Sequence, residues 1–368
     1  MAESRLDKVA ARGQSVWIDL LSRELVHSGQ LERMIEEDAV TGLTSNPSIF
    51  QKSIAGGGDY DAQIKDCLED TNDPRAIFTA LAVDDVRSAC EVLRPVWERT
   101  NGLDGYVSLE VDPGLALDTT GTFDQAVDLH QRVERPNVYI KIPATEEGLP
   151  AIENCIARGI PINITLIFSL ERYRNVVSAY LRGLYRLQLD DGDLSKVTSV
   201  ASFFVSRLDT EADARLEKLG NTELQGKLGI ANARLAYKHF QEAFQGPVWD
   251  RLAEDGATKQ RPLWASTSTK NPAYRDVMYV EELIGPDTVN TMPLETLEAF
   301  ADHGEVRGDT VLEQLEEAEQ LLHDLRVAGV DYDDVVAKLE TEGVQRFADA
   351  FDELISGIVA RRGELAAT

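Results

Sequence analysis

Short runs of β-branched and aliphatic residues recur along the chain, and between them lie longer stretches in which Ala, Leu, Glu and Arg repeat with helical spacing. That alternation predicts βα units repeated around a parallel sheet. Strands are expected over residues 16–20, 41–46, 106–111, 138–143, 161–168, 198–205, 262–266 and 288–292. Eight is the number that closes a barrel. Helical patterns fill the gaps, for example 22–38, 74–99, 123–133, 170–189, 224–244 and 272–283. The fold expected is therefore α/β, a single (β/α)8 barrel of the TIM type. The second and third strands are joined by a long connection that holds Gly56-Gly57-Gly58, and extra helices or a lid are expected there. Beyond the eighth strand, helical patterns at 294–301, 310–327 and 332–361 exceed what one closing element needs. The chain reads as one domain over 1–368, with about 294–368 a helical extension that covers a barrel mouth or makes a partner surface.

Successive side chains in a strand point to opposite faces, so each segment divides by parity. Val16, Ile18 and Leu20 share one face, and Trp17 and Asp19 the other. The same division sets Leu43 against Thr44 and Asn46, Leu109 and Val111 against Ser108 and Glu110, and Ile140 and Ile142 against Lys141. Ile162, Ile164 and Leu166 oppose Asn163 and Thr165, Leu263 and Ala265 oppose Ser266, and Val289 opposes Asn290. If the apolar parity lies under the helices, the polar parity faces the barrel axis. Barrel interiors are normally filled by branched apolar residues, and active sites sit at the C-terminal strand ends. Polar side chains converging from many strands thus point to a catalytic cleft.

Lys141 stands out within Val138-Tyr139-Ile140-Lys141-Ile142-Pro143-Ala144-Thr145. An ammonium in such a run either reaches water with its stem, guards a sheet edge, or gives up its proton and serves as a nucleophilic amine. Carboxylates on neighbouring strands favour the last. An amine beside acids and neutral hydrogen-bond donors suits Schiff-base chemistry, in which an iminium draws electrons out of the adjacent carbon-carbon bond. One carboxylate must accept the proton of the departing alcohol, and a second group must move protons while water leaves the carbinolamine. Asp19 and Glu110 fill these two places, and spacing alone leaves open which does which. Metal-assisted cleavage would call for histidines or clustered carboxylates at strand ends. The five histidines, His27, His130, His239, His303 and His323, fall in expected helices or loops. No GxxxxGK[ST] occurs, and the Gly56-Gly57-Gly58 run does not join strand to helix as a dinucleotide fingerprint requires. Neither a cofactor nor a metal is expected.

Composition narrows the partners. With 43% hydrophobic and 27% charged residues, the 368-residue chain can bury a large core. Its formal net charge of -27 argues against nucleic acid or an anionic membrane, so a phosphate ester would need a local basic pocket working against the global field. Cys67, Cys90 and Cys155 are widely spaced and odd in number, which indicates neither a disulfide framework nor a CxxC site. Residues 1–14 lack the apolar core of a signal peptide, and no stretch is long and apolar enough to span a bilayer. A cytoplasmic location is expected, and a homodimer is left open.

Two long motifs carry a family likeness. Gly42-Leu43-Thr44-Ser45-Asn46-Pro47-Ser48-Ile49-Phe50 and Tyr139-Ile140-Lys141-Ile142-Pro143-Ala144-Thr145 through Gly148-Leu149 occur in that order. Val107-Ser108-Leu109-Glu110-Val111-Asp112, Asn163-Ile164-Thr165-Leu166-Ile167-Phe168-Ser169 and Ser202-Phe203-Phe204-Val205-Ser206-Arg207 support them. From about 17 to 290 the chain resembles the transaldolases. The resemblance implies reversible transfer of a dihydroxyacetone unit from sedoheptulose 7-phosphate to glyceraldehyde 3-phosphate, giving erythrose 4-phosphate and fructose 6-phosphate. It further implies that Lys141 forms the Schiff base, that Asp19 is the acid/base for cleavage, and that Glu110 works through a water held with Thr165. Asn46 and Asn163 would hold the dihydroxyacetone hydroxyls, Thr44 and Ser202 line the same pocket, and Arg207 and Ser266 mark the phosphate end. One departure lies at Trp264-Ala265-Ser266-Thr267-Ser268-Thr269-Lys270, where many relatives place an arginine soon after the serine. Lys270 is expected to substitute as a point charge, unless it is a solvated loop residue. Phe204 either packs the core or keeps bulk water off the enamine, which separates a transferase from an aldolase that releases free dihydroxyacetone. A sugar-phosphate binding protein without catalysis is the remaining alternative.

Overall fold

All eight expected runs form strands, paired side by side and all parallel: β1 (Gln14–Asp19), β2 (Val40–Thr44), β3 (Val107–Glu110), β4 (Val138–Pro143), β5 (Ile162–Ile167), β6 (Ser199–Phe204), β7 (Arg261–Ala265) and β8 (Thr288–Met292). β8 pairs with β1, so the sheet closes into a barrel in sequence order. This computed structural model describes residues 4–55 and 58–366. In the long β2 to β3 connection, extra helices form at Pro47–Ala55, Asp61–Asp70 and Pro74–Arg99. Of the glycine run there, Gly56 and Gly57 lie outside the described residues.

The outward parity of the strands meets the helices in one large core that takes in Val16, Ile18, Leu43, Ile140, Ile142, Ile164, Phe203 and Trp264. A second apolar cluster fills the lower barrel, where Trp17, Tyr106, Tyr139, Val200, Leu263 and Val289 meet. Tyr106 stacks on Tyr139 with ring centroids 4.0 Å apart. Gly42, in register with Trp17, leaves space for this plug, since a Cβ there would lie 2.3 Å from the indole. Trp17 Nε1 donates to Asp104 at 2.8 Å, so the buried indole is satisfied. The lower half is sealed by this plug, whose polar neighbours Ser15, Asp104 and Arg261 bond to one another, and a second set of polar groups gathers at the C-terminal mouth.

The parity rule fails in two places. Register pairs Ser202 with Leu263 and Leu263 with Val289, which puts Leu263, Ala265 and Val289 on the inner face and Trp264 and Asn290 on the outer. Asn290 is therefore not axial; it accepts from Thr267 Oγ1 at 3.0 Å. Leu166 and Ser266 adopt the left-handed backbone, with φ of 61° and 57°, and break the alternation at the ends of β5 and β7. Leu166 consequently leaves the outer face and joins Phe168 in the second cluster.

Helix ends follow local chemistry. The expected helix 22–38 divides into Arg23–His27 and Gln30–Glu37 at Gly29, whose φ of 75° only glycine takes readily. The expected helix 272–283 shrinks to Met278–Glu281, because Pro272 and the hydrogen bonds of Asn271 hold the chain in a turn while Tyr274 is tied to Asp213 at 2.5 Å. The tail forms helices Leu294–His303, Leu315–Val327 and Tyr332–Ala366. The last crosses the C-terminal mouth, pinned by Arg215 to Asp334 at 2.6 Å, Arg172 to Glu340 at 2.9 Å and Arg361 to Asp61 at 2.6 Å.

Candidate active site

Register builds the site. Glu110 on β3, Lys141 on β4 and Asn163 on β5 are Cα partners across adjacent strands, so their side chains share the inner face. Lys141 Nζ lies 2.6 Å from Glu110 Oε1 and donates to the Ser45 carbonyl at 3.0 Å. Only 6% of this lysine is exposed, and that sliver opens onto a cavity of ≈ 360 Å³. The amine is thus neither snorkelling nor at a sheet edge.

Asp19 and Thr44 are Cα partners on β1 and β2. Thr44 Oγ1 donates to Asp19 Oδ1 at 2.6 Å and lies 2.7 Å from Thr291 Oγ1, while Asn46 Nδ2 reaches Asp19 Oδ2 at 3.5 Å. Burial pushes the Asp19 carboxyl up, opposed by the charge of Lys141 and the hydrogen bond from Thr44. Glu110 is also pushed up by burial, with Lys141 pulling the other way. Both acids hold a proton more tightly than a surface carboxyl, as proton-transfer groups working near neutrality should. Apart from its contact with Lys141, the Glu110 carboxylate has no partner among the described residues, and neither does buried Thr165 Oγ1. Both residues line a side cavity of ≈ 20 Å³, room for one water.

The far side of the main cavity is basic. Arg207 stands with its guanidinium 5.0 Å above the Phe204 ring, and Phe204 rests on Phe168 at 5.1 Å. Burial depresses the Arg207 pKa, and among the described residues no carboxylate pairs with it. Lys270 lines the same cavity, its Nζ donating to Ser268 Oγ at 2.7 Å. Its side chain is exposed at the rim, so it borders the cavity and meets solvent as well. Ser266 reaches the cavity through its left-handed backbone, not through strand alternation, and its Oγ lies 2.9 Å from that of Ser206.

Ten of the twelve residues expected from sequence line the main cavity: Asp19, Thr44, Asn46, Lys141, Thr165, Ser202, Phe204, Arg207, Ser266 and Lys270. Glu110 lines the side cavity instead. Asn163 lies beneath the floor, accepting from Ser202 Oγ at 2.7 Å and donating to Ser108 Oγ at 3.0 Å. Thr291, Ser268, Arg346 and Phe347 also line the cavity and were not singled out from sequence. Thr291 shares the inner parity of Val289, which polarity alone sets on the outer face; Arg346 and Phe347 belong to the tail helix, whose docking place no periodicity reveals. All five histidines lie on helices, and among the described residues no cluster of three or more His, Cys, Asp or Glu is placed to hold a metal ion.

Sequence comparison agrees with this geometry. Residues 16–358 match the Transaldolase/Fructose-6-phosphate aldolase family. A transaldolase of Mycolicibacterium paratuberculosis is 52% identical over 354 residues, covering 95% of each chain. One from Mycobacterium ulcerans is 50% identical over 365 residues and 98% of each chain, and one from Mycobacterium tuberculosis is 50% identical over 354 residues and 95% of each. A barrel with a buried lysine between two acids, matched along nearly its whole length, belongs to the transaldolase/fructose-6-phosphate aldolase family.

Proposed function

We propose that this protein is a transaldolase of the non-oxidative pentose phosphate pathway, moving a dihydroxyacetone unit from sedoheptulose 7-phosphate to glyceraldehyde 3-phosphate and yielding erythrose 4-phosphate and fructose 6-phosphate. The observation that carries this reading is the Lys141 amine, enclosed beside Glu110 at 2.6 Å, at one end of a cavity whose other end holds the unpaired Arg207. Lys141 first passes its ammonium proton to Glu110, Nζ adds to the C2 ketone and the alkoxide takes up that proton, after which the surplus N–H proton of the adduct passes to Glu110 in turn. The carbinolamine loses its hydroxyl as water, with Glu110 returning the proton through a water held by Thr165. Asp19 then takes the proton of the C4 hydroxyl as the C3–C4 bond breaks and its electron pair moves into the enamine. The four-carbon aldehyde leaves. The enamine attacks the aldehyde carbon of the three-carbon acceptor, Asp19 returns the proton to the new hydroxyl, and hydrolysis frees the six-carbon ketose. Asn46 is placed to steer a substrate hydroxyl toward Asp19, and Asn163, with Ser202 and Ser108, stiffens the floor beside the amine.

Phe204 and Phe347 wall the cavity near the amine, which favours holding the enamine for a second aldehyde over protonating it. Product analysis with and without an acceptor aldehyde separates the two: free dihydroxyacetone formed at an undiminished rate without acceptor would mark an aldolase. Three free thiols accord with a cytoplasmic location, and among the described residues no helix is long and apolar enough to cross a membrane.

Borohydride reduction in the presence of fructose 6-phosphate should leave a stable adduct on the peptide that contains Lys141. An unmodified peptide from folded protein would remove the Schiff-base reading. Replacing Arg207 with Ala should raise the KM for phosphorylated substrates about 10- to 100-fold while kcat falls less, since one charge-assisted contact is lost equally from ground and transition states. Steady-state kinetics with an unchanged KM would move the phosphate end elsewhere.

A further inference from the structure

Besides Lys141, the cavity gathers three further basic side chains in a protein whose net charge is -27. Two, Arg207 and Lys270, rise from the ends of the barrel strands. The third, Arg346, comes from the helix Tyr332–Ala366 that crosses the mouth. Arg346 and Arg207 both line this cavity, close enough that the charge of Arg346 opposes that of Arg207. Like charges facing one cavity destabilise the empty fold, so they need an anion to justify them.

Arg346 is held only loosely. Its partner among the described residues is Glu342, one turn back on the same helix at 3.0 Å, and both side chains are substantially exposed, at 62% and 38%. Such exposed pairs contribute little and exchange readily. Glu342 is also shared with Lys338 at 3.7 Å, so it is not left bare if Arg346 turns away. The backbone beneath is fixed by contrast. Phe347 sits above Lys141, with its ring centroid 5.8 Å from Nζ, and ion pairs at Asp334, Glu340 and Arg361 tie the helix to the barrel. A fixed backbone bearing a loosely paired guanidinium at a cavity rim is arranged to meet an anion that arrives from solvent.

We propose that Arg346 is a further phosphate-contacting residue, supplied by the tail helix, which exchanges Glu342 for the substrate's phosphate when a sugar phosphate enters. Arg207 and Lys270 hold the phosphate from the barrel side, and Arg346 closes on it from above. Its planar fork supplies the bidentate geometry that Lys270 lacks. The inference rests on the transaldolase reading for its substrate and on the cavity alone for its anion.

The test is Arg346→Gln, with Arg346→Lys and the wild type alongside, all checked by circular dichroism. The KM for fructose 6-phosphate should rise about 10-fold with kcat changed less than about twofold, as expected for one charge-assisted contact, and turnover of unphosphorylated fructose should be unaltered. Arg346→Lys should recover part of the loss. Inorganic phosphate at matched ionic strength should raise the Tm of the wild type and raise that of Arg346→Gln less, a readout that needs no turnover. Equal loss on fructose and fructose 6-phosphate would show a merely structural role and overturn the proposal, as would an unchanged KM and an unchanged phosphate effect on Tm. If Lys141 fails to trap while Arg346→Gln still weakens the phosphate effect, the Schiff-base reading falls and Arg346 stands. If Lys141 traps and Arg346→Gln alters nothing, Arg346 alone falls.

Discussion

Lys141→Met is expected to lose at least about 10⁴-fold in turnover, in line with removal of a covalent nucleophile, and to give no adduct with borohydride. Methionine keeps the length and the apolar stem of lysine but carries no amine, so the substitution separates chemistry from packing. Glu110 loses its ion-pair partner, which for a group locked in its charged form would cost about 3–5 kcal/mol. Burial already pushes Glu110 toward its neutral form, so it can take up a proton and the loss of stability should fall below that range. Thermal denaturation checks this. A Lys141→Met protein that folds and still turns over sugar phosphates would show that the amine is not the nucleophile.

Asp19→Ala should depress carbon-carbon cleavage by about 10²- to 10⁴-fold, the range for a positioned acid/base. The adduct on Lys141 should still form, because the carboxylate acts after the Schiff base. Rapid quench with borohydride, set against the rate of erythrose 4-phosphate release, distinguishes the two steps; loss of the adduct itself would mean that Asp19 serves carbinolamine formation. The pH dependence has a defined sign. Asp19 must be ionised to accept a proton, and burial raises its pKa, so the acid limb of the wild-type cleavage rate should lie above the ordinary carboxylate range. For stability the raised value works the other way. The folded state holds this proton more tightly than the unfolded chain, so the contribution of Asp19 to stability declines as pH rises from the unfolded pKa through the folded one. Alanine removes that decline, and Asp19→Ala should be no less stable than wild type at neutral pH.

The barrel was legible because eight apolar runs alternate with helical patterns, and Lys141 because it interrupts one of them. Parity then brought Asp19, Glu110 and Lys141 to one face without any coordinates. It misplaced Val289 and Asn290 because it equates polar with axial. The lower interior is a plug of Trp17, Tyr106, Tyr139 and Leu263, so apolar residues occupy both faces of β7 and β8. Ser266 and Leu166 escaped the rule through a left-handed backbone that alternation cannot register. The motif likeness supplied what spacing could not, a division of labour between the two acids. Arg346 and Phe347 stayed hidden because a helix pattern tells which face is apolar and not which surface receives it.

The position of Phe347 above Lys141 bears on how the site is assembled during translation. Asp19, Glu110, Lys141 and Thr165 all lie on strands made before residue 293, yet the aromatic ring over Lys141 is encoded more than a full helix later. Phe347 can roof Lys141 only once translation has passed residue 347.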